Sequence, residues 1–454
     1  MKIVIGGAGA VGIHLASLLS KDNYDCTLID EHEERFDAID GDADIMTIVG
    51  SPTSIKTLKD ADVAHADLFV GVTPHESTNI TACVIAHQIG AKKTVARIDN
   101  YEYLSETADA FFKTIGVNSL IYPEVLVARD IANGLKQSWV RQRWDFHDGA
   151  LTMLGIKLHE TCKVLGQPLR TLCSPDDPWF IVAIKRGNDV IIPRGNDTLQ
   201  DRDLVYIMTK EGAMHEVRKL VGKEHYKDVK NVIIIGGGKS SVRTALTASS
   251  SLKLKIIEAD EARCEKLNNL LASTEALVIH GDGRDAQLLE EEGLQNTQAF
   301  VALTENSETN ILACLTAKRH GVNKTIALVE NLDYVSMAEE LDIGTIINKK
   351  TIAASHIFQM MLNADVSNVR SLTLVDADVV EFTAEKNSPV TKKPVKSLGL
   401  PEGAAIGGLV RDGVGMLVNG NSQIQMGDVV MVFCNSHVLR KLEKFFKSSF
   451  SLFT

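Results

Sequence analysis

At 454 residues the chain is too long for one hydrophobic core, and domains of about 100–150 residues predict three or four of them. A hydrophobic fraction of 44% beside 24% charged residues excludes extended disorder. The formal charge of −11 and pI near 5.7 weigh against a nucleic-acid surface, which needs clustered Lys and Arg. The seven cysteines form no CxxC pair and read as reduced, buried thiols. No apolar stretch reaches the roughly 18–20 residues of a membrane span, so any action at a membrane goes through a partner.

Residues 2–6 are a β-rich run without a basic leader, which points to a cytoplasmic protein. The turn 7-GAGAVG-12 follows, then a helix over 14–20 and a second strand, CTLID, ending at Asp30. This opens a βαβ unit. Strands recur at 45–49, 68–73 and 94–98, with a helix over 78–89, and alternating β and α predicts a doubly wound parallel sheet. The apolar run at 120–135 reads as a helix with more apolar surface than one small domain can bury, which predicts a homo-oligomer. Residues 151–222 then change in kind. Two GND clusters and a proline punctuate short β-branched strands, predicting a small antiparallel α+β module. Residues 223–228, charged and next to a glycine, read as a linker.

From Asn231 the order repeats. FVGVTPHESTNITACVIAHQ at 69–88 returns as FVALTENSETNILACLTAKR at 300–319, Gly7 returns as Gly236, Asp30 as Glu258, and Gly50 as Gly281. A period of 231 residues means duplicated domains, since solenoid units run to a few tens. A second β-rich module, with GLVRDGVGMLVNGNSQIQMGDVVMVF, closes the chain, and Asp203 and Asp428 stand alike before the last strands. The fold class is α/β: two tandem Rossmann-like domains, each followed by a small α+β module, with boundaries expected at 1–139, 140–222, 229–369 and 370–454.

GxGxxG is a weak signal alone, but here it follows a strand, opens a helix and precedes Asp30 by 18 residues. Gly7 would make the tight turn, Gly9 let a pyrophosphate approach, and Gly12 permit close helix–strand packing, with the helix N-terminus facing the phosphates. Asp30 would accept from ribose hydroxyls and repel a 2′-phosphate, favouring NAD(H) or an adenine nucleotide. In the second copy, 236-GGGKSS-241, Ser241 replaces the third glycine and predicts looser or shifted helix packing; Glu258 stands for Asp30 and Lys239 adds a charge. Thr73 and Thr304 end the fourth strands. Arg97 ends the fifth, either facing phosphate or paired with Asp99, and its counterpart is Leu328, so the two sites are chemically unequal. No convergent His, Lys or Tyr supplies a general acid or base, and the thirteen histidines show neither HxxxH nor HExxH spacing. Neither catalytic nor metal-ligating residues are assigned.

GAGAVG, Asp30, the TNI-AC helix of both halves and the GND…DRDLVYIM module together resemble the RCK (regulator of K⁺ conductance) domains of prokaryotic potassium systems. Two such units in one chain resemble the TrkA family of peripheral subunits. The resemblance implies a tetrameric, non-enzymatic ring on the cytosolic face of a potassium-translocating membrane subunit of the TrkH type, with NAD(H), ATP or ADP as regulatory ligand. It implies binding residues Gly7, Ala8, Gly9, Ala10, Val11, Gly12, Asp30, Ser51, Thr73, Pro74 and Arg97 in the first half. In the second it implies Gly236, Gly238, Lys239, Glu258, Gly281, Asp282 and Thr304. Ser51, where the family often has Asp, and Asp99, where a second basic residue often stands, depart from the pattern and weaken an ATP site in the first half. The readings from other classes are an NAD-dependent oxidoreductase and a structural scaffold.

Overall fold

The computed structural model describes residues 1–21, 24–39, 43–174, 176–187, 189–361, 366–371, 377–435 and 438–448. Asn188 of the first GND cluster lies outside them. The chain divides into two compact units, Met1–Leu126 with Lys349–Asn363, and the remainder.

In the first unit, strands β1 (Lys2–Gly6), β2 (Asp25–Asp30), β3 (Ile45–Val49), β4 (Leu68–Gly71), β5 (Thr94–Arg97) and β6 (Ser119–Ile121) form one parallel sheet in the order 3-2-1-4-5-6. The central strands β1 and β4 are apolar and buried, as a sheet covered on both faces requires. Helices α1 (Ala10–Lys21), α2 (Ile55–Asp60), α3 (Glu76–Ile89) and α4 (Glu106–Thr114) connect them. The strand order reverses between β1 and β4, and at such a switch point the carboxyl ends of the strands open a crevice.

The sixth strand corrects the expected helix over 120–135. Leu120 and Ile121 pair with β5, and α5 (Pro123–Leu135) starts at the proline, whose fixed φ suits a first helical turn. Its apolar residues Val127, Ala128, Ile131 and Leu135 are buried within the chain itself, so this helix does not require an oligomer. From Val127 it belongs to the second unit, where Gly134 lies so close to β16 (Lys324–Leu328) that an added Cβ would sit 3.4 Å from Ile326. Reciprocally, α13 (Lys349–Met361), which follows the second copy, belongs to the first unit. Phe358 meets Tyr24 edge-to-face with ring centroids 6.5 Å apart.

The second unit repeats the Rossmann order with β12 (Asn231–Ile235), β13 (Lys253–Glu258), β14 (Leu277–His280), β15 (Ala299–Ala302), β16 and β17 (Thr345–Ile347) in the order 14-13-12-15-16-17. Helices α8 (Lys239–Thr247), α9 (Glu261–Leu270), α10 (Ala286–Glu291), α11 (Ser307–Arg319) and α12 (Asp333–Glu340) connect them.

Two five-stranded antiparallel sheets complete the unit. The first contains β7 (Gln142–Phe146), β8 (Leu151–Lys157), β9 (Trp179–Arg186), β10 (Asp189–Ile191) and β11 (Leu204–Thr209), with helices α6 (Leu169–Leu172) and α7 (Met214–Leu220). The second contains β18 (Val366–Ser371), β19 (Ala377–Thr383), β20 (Ala404–Arg411), β21 (Val414–Leu417) and β22 (Val429–Asn435), followed by α14 (Leu439–Phe446). The modules share one core, in which Tyr206 lies 5.9 Å from Phe433, centroid to centroid. Glycine lets them approach: a Cβ at Gly415 would fall 2.1 Å from the Ala150 carbonyl oxygen.

The duplicated aspartates are accounted for in the same way. Asp203 and Asp428 are buried and each accepts a two-point hydrogen bond from an arginine, Arg186 at 2.9 and 2.9 Å and Arg411 at 2.8 and 2.7 Å. Residues 223–228 lack helix and strand as a linker would, but Lys223 is buried, 6% exposed, with its ammonium facing the Trp139 carbonyl at 3.4 Å. Glu224, His225, Lys227 and Asp228 are exposed, so Lys223 is the exception within the run.

Two candidate nucleotide sites on one plan

The glycine turns fold as their spacing requires. Gly7 and Gly236 have φ of 119° and 87°, a region that side chains disfavour. Their N–H groups donate to the carbonyls of Ile29 and Ile257 at 2.8 and 2.9 Å, which ties each turn to the neighbouring strand. An added Cβ at Gly12 would fall 1.9 Å from the Gly7 carbonyl oxygen, so α1 and the turn touch backbone to backbone. In the second copy Ser241 is buried at that position, and its hydroxyl donates to the Gly236 carbonyl at 2.5 Å. The serine turns the close approach into a hydrogen bond. The middle glycines differ from both: around Gly9 and Gly238 an added Cβ would meet nothing within 4 Å. Open space beside backbone at a helix N-terminus, with free N–H groups and the positive dipole end, fits a pyrophosphate.

The acids at the ends of β2 and β13 do more than face a ribose. Asp30 Oδ2 accepts from the Ala8 N–H at 2.7 Å, and Oδ1 from the His32 N–H at 3.0 Å. Glu258 Oε2 accepts from the Gly237 N–H at 2.6 Å, and Oε1 from the Asp260 N–H at 2.9 Å. Each carboxylate is a strut that holds the second residue of its glycine turn. Arg35 pairs with Asp30 at 3.0 Å and Arg263 stands 3.7 Å from Glu258, again at matching positions. Burial alone would raise the Asp30 pKa, but the hydrogen bonds from His32, Ala8 and Arg35 together outweigh it and hold the carboxyl below its usual range. Each carboxylate keeps lone pairs for a ribose hydroxyl.

The third shared device was not read from the sequence. Thr73 donates from its N–H and hydroxyl to Asn79 Oδ1 at 2.8 and 2.7 Å, while Asn79 Nδ2 donates to the carbonyls of Thr73 and Arg97. Thr304 and Asn310 repeat this at 3.0 and 2.7 Å, with Nδ2 donating to the carbonyls of Thr304 and Leu328. Both asparagines are buried. One side chain thus fixes the ends of two strands at the crevice, in both copies. The signal was available in the repeated TN of the TNI-AC helix.

Around this shared frame the linings differ. Among the described residues no hydrogen bond or ion pair holds the Arg97 guanidinium, which leaves it able to meet an anion, and the expected alternative pair with Asp99 is not formed. Pro74 and Ala10 are exposed at the rim, Val11 is buried under the turn, and Ser51 meets the hydroxyl of Thr53 at 3.1 Å. The second cleft has a volume of ≈ 340 Å³, and Gly236, Gly238, Glu258, Asp282 and Thr304 line it together. Gly281 sits beside it under Leu288, and Lys239 is exposed on the first turn of α8. Leu328 does not leave this cleft without a cation, because Arg263 and Arg284 line it. Arg284 pairs with Asp282 at 2.7 Å, which holds that carboxyl below its usual range. No motif announces these arginines; only the strand ends bring them to the cleft.

The cysteines that follow each TN pair are structural. Cys83 and Cys314 donate to the carbonyls of Val95 and Ile326 at 3.3 and 3.5 Å, and burial pushes both thiols up to about 12. Among the described residues no group of three or more His, Cys, Asp or Glu is disposed to hold a metal ion. None of the described helices is long and apolar enough to cross a membrane.

The TrkA-N domain profile matches residues 3–123 and 232–349, and the TrkA-C domain profile matches residues 153–222 and 379–447. The chain belongs to the TrkA family. The Trk system potassium uptake protein TrkA of Azorhizobium caulinodans is 28% identical over 461 residues, covering 100% of both chains. That of Vibrio alginolyticus is 30% identical over 458 residues, covering 99% of each. Among solved structures, the GsuK RCK domain has a TM-score of 0.60 at 14% identity and covers 98% of this chain and 94% of its own. The GsuK channel bound to NAD also has a TM-score of 0.60 at 14% identity, covering 98% and 78%. At that identity the likeness establishes the fold, two RCK-type repeats.

Proposed function

We propose that the chain is the nucleotide-sensing regulatory subunit of a Trk-type potassium uptake system, with no catalytic step of its own. The observation that carries this reading is one glycine turn, one strut carboxylate and one Thr–Asn clamp built twice, around clefts whose cations differ. Two sites that read ligands unequally suit a sensor. Full-length similarity to relatives named for Trk potassium uptake supplies the transported ion and implies a membrane partner, for which a potassium-translocating subunit of the TrkH type is the natural choice. The chain then acts from the cytosolic face, in a homotetrameric ring. Its division into domains at 1–139, 140–222, 229–369 and 370–454 belongs to the same reading.

The ligand is NAD(H) or an adenine nucleotide. In the first half Gly7, Ala8, Gly9, Ala10, Val11 and Gly12 would hold its pyrophosphate against α1, Asp30 its ribose, and Ser51, Thr73, Pro74 and Arg97 the remaining rim. In the second half Gly236, Gly238 and Lys239 would hold phosphate, Glu258 ribose, and Gly281, Asp282 and Thr304 the rim, with Arg263 and Arg284 adding charge. A NAD-bound channel of the same fold supports the choice of ligand. Control follows from linkage: a nucleotide shifts the ring between conformations only by the difference in its affinity for them, and coupling between unequal sites is reciprocal. Calorimetric titration of the purified chain with NAD⁺, NADH, ATP and ADP tests this directly. Two classes of site with different affinities are expected; absence of binding by all four ligands contradicts the sensor reading.

A further inference from the structure

Away from both nucleotide clefts, a cavity of ≈ 140 Å³ opens within the second unit. One wall is the segment from Ser138 to Arg141 that leads into β7, together with Lys223 and Tyr226; the other is the start of β16 and the turn before β17. Its lining is unusual in charge. Arg141, Lys223, Lys318 and Lys324 line the cavity together with a single carboxylate, Asp342. That carboxylate is already committed, since it pairs with Arg141 and accepts from Lys318 at 2.8 Å.

Lys223 and Lys324 are therefore left over. They are 6% and 3% exposed, and among the described residues neither has a carboxylate within 4.0 Å. Lys324 donates to the Val140 and Arg141 carbonyls at 2.6 and 3.2 Å and to the Thr345 hydroxyl at 3.1 Å. Lys223 reaches the Trp139 carbonyl at 3.4 Å and stands 5.3 Å from the Tyr226 ring centroid. Neutral acceptors do not cancel two buried charges, and buried charges are normally paired. A polar cavity of this size holds several waters, or one small anion.

We propose that this cavity is a binding site for a small, doubly charged oxyanion of the phosphate class, taken up between Lys223 and Lys324 with Arg141 and Lys318 at its edge. Such an anion, displacing one of the three neutral acceptors of Lys324, makes charge-assisted hydrogen bonds to both ammoniums and ties the first small module to the second Rossmann sheet. The space admits a phosphate group but no nucleoside. Free phosphate and the terminal phosphate of a nucleotide share the required chemistry, and competition separates them.

The cavity predicts a proton signature. Burial, then repulsion from Arg141 and Lys318, pushes Lys223 down to about 7; burial, then Arg141 and Lys223, does the same to Lys324. Lys318 falls to about 8 and His159 to about 4, each chiefly by burial. Opposing groups are few: Asp342 inside, Cys162 beside Lys223, and Glu339 and Tyr226 toward Arg141. An anion reverses the balance and raises the lysine pKa values, so binding takes up protons and weakens as pH rises through about 7 to 8.

The test is equilibrium dialysis of the full-length chain with radiolabelled inorganic phosphate, with unlabelled sulfate and ATP as competitors. Saturable binding below about 10 mM is expected, and Lys223→Met or Lys324→Met should each weaken it by about tenfold or more. The double variant Gly9→Asp, Gly238→Asp, which blocks both glycine turns, should retain it. ATP competing far better than phosphate identifies a nucleotide tail as the source, and equal or weaker competition identifies free phosphate. Because a lysine variant can fail to fold, sulfate binding to the wild-type chain is also followed by calorimetry in buffers of different ionisation enthalpy. Sulfate stays doubly charged near neutrality, so proton uptake belongs to the protein. No saturable phosphate binding, binding lost only in the glycine variant, folded lysine variants that bind normally, or sulfate binding without proton uptake would each overturn the proposal.

Discussion

Asn79 Nδ2 donates to the Arg97 carbonyl at 2.9 Å, and its counterpart Asn310 donates to the Leu328 carbonyl at 2.8 Å. The side chains of residues 97 and 328 have diverged while the backbone bond that places them is the same. Duplication has kept the frame of the crevice and released its lining. Asn79→Ala removes the acceptor of the Thr73 N–H and hydroxyl and leaves two carbonyls without their donor. We expect a loss of about 2–3 kcal/mol in stability, the range for unpaired buried polar groups, with weaker nucleotide binding in the first half. Urea unfolding and calorimetry check this; unchanged values for both would mean that the clamp is incidental.

Asp30→Asn separates strut from charge. The folded Asp30 pKa lies below its unfolded value of about 3.9, so its contribution to stability is fully present above that value and is lost as pH falls through the folded pKa. The stability gap between wild type and variant should therefore be constant near neutrality and narrow below about pH 4. Denaturation midpoints across that range report it. Asp30→Ala, which also removes the acceptor for the Ala8 N–H, should weaken NAD-type binding by about 1–3 kcal/mol, and Glu258→Ala should act likewise on the second site.

The two positions that end the glycine turns should respond unequally. Gly12→Ala places a methyl group 1.9 Å from the Gly7 carbonyl oxygen and should disrupt α1 packing. Ser241→Gly removes one buried hydrogen bond and should cost about 1 kcal/mol. Equal effects in thermal unfolding would contradict the backbone contact described for the first turn.

In the small modules, Asp203→Ala leaves Arg186 unpaired at a buried partner's position and should destabilise by about 3 kcal/mol, since removing one member of a buried pair is costly. Arg186 is about one-third exposed, so replacing both residues with apolar ones should restore most of the loss. Chemical denaturation of the single and double variants measures the difference.

The parallel sheets were legible because their strands are short apolar runs at regular spacing, and the repeat made each half a check on the other. The sixth strands were less so. Ser119–Ile121 spans three residues and runs directly into the proline of α5, so its apolar residues read as the start of that helix. The glycine turns and acids were found because their chemistry has a fixed spacing, whereas Arg263 and Arg284 come to the second cleft only through the fold. They supply positive charge that Leu328, at the position of Arg97, does not. Lys223 was legible only as part of a charged linker, and its burial comes from long-range packing. The exchange of α5 and α13 between units is likewise a tertiary choice, since each helix carries the same apolar pattern whichever copy it covers.

The central claim is that nucleotide occupancy controls ion movement without chemistry on the nucleotide. Its most direct test is potassium flux through vesicles containing a TrkH-type partner and the full-length chain, comparing wild type with Gly9→Asp, whose carboxylate would enter the open space beside the turn and repel a pyrophosphate. The account predicts flux that changes with NAD⁺, NADH, ATP or ADP in wild type, loses that dependence in the variant, and proceeds without consumption of NADH by either protein. Flux indifferent to every nucleotide, or steady NADH consumption with a small carbonyl compound, would contradict it.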